Sequence, residues 1–274
     1  MEFDCKNPAT VADSLTRTGC VKKTQQSFIN LTILGIFAGV YIGFGAQLAT
    51  MVTHDLAAFI GVGMAKLVSG AVFSVGLMLV VIAGAELFTG NNLIFLSVLD
   101  RQVKGRSLLR NWVIVYFANL VGSVLLVLLM YWSGLWKTGD GAVGVAAVKI
   151  ANAKVDLTFL EGFTRAILCN WLVCLAVWMA TSARDVTGKI FAVFFPIMAF
   201  VASGFEHSIA NMYFIPMGLA LKGQALIEAS SNLTVGGMIV KNLIPVTLGN
   251  IVGGAFFVAT LYWIVYIRKS KNAA

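Results

Sequence analysis

A chain of 274 residues that is 59% hydrophobic and only 12% charged is too apolar for a water-soluble domain, where roughly a quarter of residues are charged. Its net charge of +8 requires no nucleic-acid partner, because basic residues gathered at one face of a lipid bilayer, against anionic headgroups, account for it. Period-2 alternation in segments of about ten residues is absent, which excludes a transmembrane barrel and leaves an all-α membrane protein.

The opening "MEFDCKNPATVADSLTRTG" is polar and lacks the basic-then-apolar order of a cleavable signal, so residues 1–27 read as a cytoplasmic N-terminal tail. The triplet "NPA" at Asn7–Ala9 does not make a water channel, where two such triplets cap facing half-helices at the midplane. Apolar stretches meeting the length of about 20 residues needed to span a bilayer are expected near 28–50, 64–99, 108–133, 157–182, 188–220 and 238–267. The transmembrane domain is thus 28–268, followed by a short cytoplasmic tail, 269–274. His54, in the connection "THD", reads as an exposed loop residue. Cys5 and Cys20 fall in the tail and Cys169 and Cys174 in a span. None has metal-ligand spacing, so all four read as reduced and structural, with no metal or cofactor expected.

With the N-terminus inside, the cytoplasmic side collects Lys6, Arg17, Lys22, Lys23, Arg101, Lys104, Arg106, Arg110, Arg184, Lys189, Arg268, Lys269 and Lys271. The far side keeps Lys66, Lys137, Lys149, Lys154, Lys222 and Lys241. That asymmetry predicts both termini on the cytoplasmic side of the inner cell membrane.

Two polar interruptions break the pattern, "GAELFTGNN" at Gly84–Asn92 and "SGFEHSIANM" at Ser203–Met212, with glutamates Glu86 and Glu206 placed 120 apart. Downstream of each comes a related string, "NWVIVYFANLVGS" from Asn111 and "NLIPVTLGNIVGG" from Asn242. These place Asn119 and Asn250, like Asn111 and Asn242, 131 apart. Three spans per half must insert with opposite orientation, so the expectation is six transmembrane helices in two inverted three-helix repeats, with the second and fifth helices broken. Such breaks point to a midplane pathway. They free backbone groups that survive in a bilayer only when bonded or lining a cavity, and Glu86 and Glu206 are expected to accept those amides. The half-helix N-termini after Gly90 and Ser203 suit an anion.

His207 lies at the second break, where an intramembrane ionisable group marks a site. Imidazole ordinarily titrates near pH 6.5, and the neutral ring is expected at rest. The plainer reading is that His207 satisfies freed backbone groups. Ser203 and His207, four apart, would suit nucleophilic catalysis, but no glycine-flanked serine elbow and no oxyanion site accompany them, so no enzyme is expected.

"SGFEHSIANM", "GAELFTGN", "CNWLVCLAVWMA" and "PVTLGNIVGG" resemble signature segments of the formate/nitrite transporter family, with the resemblance running from Phe28 to Arg268. It implies an aquaporin-like protomer, assembled as a homopentamer with one pore each, passing small monovalent anions or their acids together with protons. It places the family's central histidine on His207, its loop threonine on Thr89 and its mouth lysine on Lys154, with Lys149 in the same connection as the alternative. Asn170 and Asn250 become the polar partners, and Phe73, Leu77 and Phe200, with Phe88 of the loop, the constriction. The implied mechanism has an anion drawn to Lys154, protonated before or at His207, and crossing the apolar ring as a neutral acid, which avoids desolvating a bare charge. Formate fits the resemblance best. Nitrite, hydrosulfide and lactate, and a proton-coupled symporter instead of a channel, remain open alternatives.

Overall fold

The computed structural model describes residues 5–224 and 228–268, so the expected tail at 269–274 lies outside the described residues. An N-terminal helical run, α1, comprises Pro8–Ser14, Leu15–Gly19 and Cys20–Gln25. It starts at Asn7, whose side chain accepts the Thr10 amide, with Pro8 in the first helical position. A proline there gives up no bond, because its missing N–H would be an orphan anyway. The triplet "NPA" is therefore a helix cap. Val11, Ala12, Thr16 and Cys20 are buried, and the Lys6 amide donates to the Ser182 carbonyl at 3.0 Å. What the sequence presents as a tail is a packed element. Burial pushes the Cys20 thiol up to about 12, in keeping with a structural cysteine.

The first half continues through α2 (Phe28–Thr53), α3 (Ala57–Gly84), α4 (Gly90–Leu99) and α5 (Gly105–Ser133). The second half begins with α6 (Ala142–Val155), then α7 (Phe159–Ser182), α8 (Val186–Ala202), α9 (Ser208–Leu221) and α10 (Val235–Arg268). Among the described residues, α2, α3, α5, α7 and α10 are long and apolar enough to cross a membrane. Helices α8 and α9, of 17 and 14 residues, share the remaining expected span across a break. A matching break separates α3 from α4.

Local signals explain why the halves match. Ser27 and Thr158, 131 apart, cap α2 and α7 by accepting the amides of Asn30 and Glu161. A β-carbon on Gly122 of α5 would overlap the Ile36 carbonyl oxygen of α2, and one on Gly253 of α10 would overlap that of Ile167 on α7. Both pairs of positions are again 131 apart. With no hydrophobic force between helices in lipid, such glycine approaches supply the packing. His54 differs from expectation: its side chain is 17% exposed, and its Nδ1 lies 2.8 Å from the Met51 carbonyl oxygen at the end of α2.

Candidate functional site

The chain leaves its helical path at Gly84 (φ 90°) and Gly204 (φ 75°), positions 120 apart whose left-handed backbone favours glycine. The freed groups are met by asparagine. Asn119 Oδ1 accepts the Phe88 amide at 3.0 Å, while its Nδ2 donates to the carbonyls of Gly35 and Glu86. Asn250 Oδ1 accepts the Ser208 amide at 2.9 Å, while its Nδ2 donates to the carbonyls of Ala166 and Glu206. The amides of Glu86 and Glu206 reach the carbonyls of Leu34 and Arg165, at 3.1 and 3.4 Å. This corrects the assignment of the breaks to the glutamates. A break exposes N–H and C=O side by side, and a carboxamide answers both where a carboxylate only accepts. It also relocates Asn250 and Asn170, expected beside the substrate. Asn170 Nδ2 donates to the Thr89 carbonyl, Asn92 Oδ1 and the Asn250 carbonyl, so it braces the two breaks against each other.

The glutamates hold lysines instead. Lys154 Nζ lies 3.0 and 3.2 Å from the carboxylate oxygens of Glu206. From there Asn211 Nδ2 donates to both Glu206 and Asn242 Oδ1, and Asn242 Nδ2 closes the ring on the Lys154 carbonyl. Opposite stands the same ring: Lys23 Nζ to Glu86 Oε1 at 2.8 Å, Asn91 to Glu86 and Asn111, and Asn111 to the Lys23 carbonyl. Lys23 precedes Lys154 by 131 positions, so α1 is the counterpart of α6 in the repeat. Sequence reasoning passed over Lys23, although the offset already marked in the asparagines leads straight to it. Each ring borders a cavity. That at Lys154 holds about 340 Å³ and that at Lys23 about 520 Å³. Lys149 is exposed and absent from the cavity wall, whereas Lys154 lines it. The Lys154 pair is the drier of the two, its lysine side chain 14% exposed against 33% for Lys23.

Between the mouths lies a neck of about 10 Å³, room for one water at most. Its wall is built from matched positions: Ile42 with Val173, 131 apart, and Leu77 with Ile197 and Leu87 with His207, each 120 apart. Phe73 and Phe200 close it toward Lys154, their rings edge to face at 5.8 Å, and both also border the Lys154 cavity with His207. Leu77 and Leu87 border the Lys23 cavity. Cavity, neck and cavity therefore form one series through the protein. Phe88, expected in the constriction, packs instead on Trp112 and Tyr116, with ring centroids at 5.9 and 5.0 Å. Its neighbour Leu87 takes the neck instead. Ile42, Val173 and Ile197 were also missed, though the offsets applied to Leu77 and His207 identify two of the neck's members.

His207 caps α9. Its Nδ1 accepts the Ala210 amide at 3.1 Å, which assigns the proton of the neutral ring to Nε2. That nitrogen lies 2.9 Å from Thr89 Oγ1 of the other break, and the ring stacks on Phe200 with centroids 5.9 Å apart. Protonating Nδ1 would set two N–H groups against each other and lose the cap. With Nε2–H given to Thr89 Oγ1, the threonine hydroxyl hydrogen is left to donate elsewhere.

The family model "Formate/nitrite transporter" matches residues 9–264. The chain is 46% identical to a probable formate transporter of Methanothermobacter thermautotrophicus over 96% of its own length and 98% of that protein's. It is 42% identical to the formate channel FocA of Escherichia coli K12, covering 98% of each chain. A solved pentameric formate channel with formate bound superposes with a TM-score of 0.79 at 41% identity, over 88% of this chain and 98% of that one.

Proposed function

The chain belongs to the formate/nitrite transporter family, and on that premise we propose that it is a formate channel whose substrate crosses the neck as the neutral acid. The observation that carries this reading is the series of cavity, apolar neck and cavity with a paired lysine at each mouth. A mouth lysine draws the anion, while a neck of about 10 Å³ lined by apolar side chains and one imidazole offers a bare charge nothing to replace its hydration. The anion therefore takes its proton from water in the vestibule. In the neck, the Thr89 hydroxyl, ordered by His207 Nε2, donates to the acid's carbonyl oxygen, and Phe73, Leu77, Leu87 and Phe200 pack round it. His207 acts as a neutral hydrogen-bonding group, its Nδ1 occupied by the Ala210 amide. The relatives' names support formate over nitrite or hydrosulfide, and the superposed channel supports a homopentamer.

The two halves lie inverted across the inner cell membrane, with the Lys23 mouth and both termini in the cytoplasm. The experiment is formate uptake into proteoliposomes under voltage clamp with simultaneous pH recording. Formate entry that alkalinises the outer medium and carries little current supports the reading. Formate current unaccompanied by a pH change overturns it.

A further inference from the structure

The two mouths share one plan, and at one matched position their chemistry parts. The amide of each break glutamate is held by a carbonyl on the neighbouring helix, Leu34 for Glu86 and Arg165 for Glu206. Leu34 and Arg165 are 131 apart, and their side chains line the Lys23 cavity and the Lys154 cavity respectively. The charged lining of the first is Lys23 and Glu86, one cation and one anion. That of the second is Lys66, Lys154 and Arg165 against Glu206, three cations and one anion, so 3 − 1 = +2 against 1 − 1 = 0. Lys154 is already committed to Glu206. Among the described residues, Arg165 forms no ion pair within 4.0 Å. The carboxylate one turn before it, Glu161, feels the Arg165 charge but spends its hydrogen bonds in the capping box of α7, accepting from Thr158 N and Oγ1 at 2.9 and 2.7 Å. Half-buried Arg165 thus borders the cavity, its charge shared only with Glu161 on the exposed side of α7.

We propose that Arg165 is an anion-capturing and specificity-determining residue at the Lys154 mouth, favouring planar anions with two oxygens over a single-centred anion such as hydrosulfide. A guanidinium pairs two parallel N–H groups with a carboxylate or nitrite, whereas an ammonium acts as a point charge. Leu34 gives the opposite mouth nothing equivalent, so the two mouths saturate at different concentrations. The inference rests on the chain conducting small monovalent anions, as proposed above.

The test is initial-rate uptake of formate, nitrite and hydrosulfide into right-side-out and inverted membrane vesicles, comparing the wild type with Arg165→Leu, which installs the residue of the matching position, and Arg165→Lys. A partly exposed pair of this kind is worth up to about 1 kcal/mol, so Arg165→Leu is expected to raise the half-saturating formate and nitrite concentrations by about 2–5-fold. The rise is expected in one vesicle orientation only, with the maximal rate from that side rising in step so that flux at low concentration is unchanged, hydrosulfide unchanged and the gap shrinking at high ionic strength. Arg165→Lys should fall between the two for formate. An equal change from both sides, an equal change for hydrosulfide, or no change in Arg165→Leu overturns the assignment of Arg165. Absence of all three fluxes in the wild type overturns the channel reading itself, a different result.

Discussion

Leu87 and His207 stand at the same place in their respective halves, 120 positions apart, and both line the neck. One repeat supplies a hydrocarbon there and the other a hydrogen-bonding ring tied to Thr89 at 2.9 Å. Replacing His207 by Leu makes the neck apolar on both sides while leaving its volume nearly filled. Losing a buried hydrogen-bond partner costs about 1–3 kcal/mol, so formate flux in proteoliposomes should fall by about 10–100-fold with the elution volume on size exclusion unchanged. Unchanged flux would remove the ring from the pathway.

Asn119 and Asn250 hold the two breaks through equivalent bonds. Asn119→Ala and Asn250→Ala each strand several buried backbone groups, at about 1–3 kcal/mol apiece. Both variants should lower the melting temperature in detergent by similar amounts, about 6–36 °C. A large loss in one and none in the other would mean that the two breaks are not alike energetically.

Removing one member of a buried ion pair is worse than removing both, because the survivor stays desolvated without its partner, at about 3–5 kcal/mol. Lys154→Ala should therefore express poorly, leaving Glu206 buried, and the double variant Lys154→Ala/Glu206→Gln should recover the assembled protein. Its formate half-saturation should remain raised, since the mouth has lost one of its three cations. Recovery of both properties in the double variant would show that Lys154 serves assembly alone.

Gly122 and Gly253 admit the carbonyls of Ile36 and Ile167 where a β-carbon would overlap. Gly122→Ala or Gly253→Ala forces paired helices apart, and overpacking of this sort costs about 1–3 kcal/mol. Thermal scans of the two variants should show comparable losses. A variant as stable as the wild type would place the helix contacts elsewhere.

Much of this arrangement was visible beforehand, for identifiable reasons. The breaks announce themselves because glutamate and histidine are costly within an apolar run, and the asparagines of α5 and α10 give the repeat its offset. What stayed hidden depended on direction and distance. Whether Leu87 or Phe88 entered the neck turned on the side each faces at the break. Lys23 looked like one surface charge among many, since its partner Glu86 lies 63 positions on. The glutamates and asparagines had their duties exchanged in the sequence reading, because which polar group meets a freed amide is decided by fit.

Cysteine chemistry offers an independent check on the N-terminal run. Cys5 is exposed, whereas Cys20 is buried and its thiol is pushed up to about 12, chiefly by burial. The thiolate is the reactive form, and a raised value keeps Cys20 protonated at pH 7–8. A maleimide should therefore label Cys5 in the folded protein and reach Cys20 only after denaturation. Rapid labelling of Cys20 in the folded protein would mean that α1 leaves the bundle.

The neck is lined by matched positions of the two halves and lies between two open cavities, and nothing along that route stores work. Unequal entrances alter how soon each side fills, yet they cannot favour net movement one way, since any gain on capture is returned on escape. On the proposed pathway, net movement then runs down whatever combined gradient of acid and proton is present.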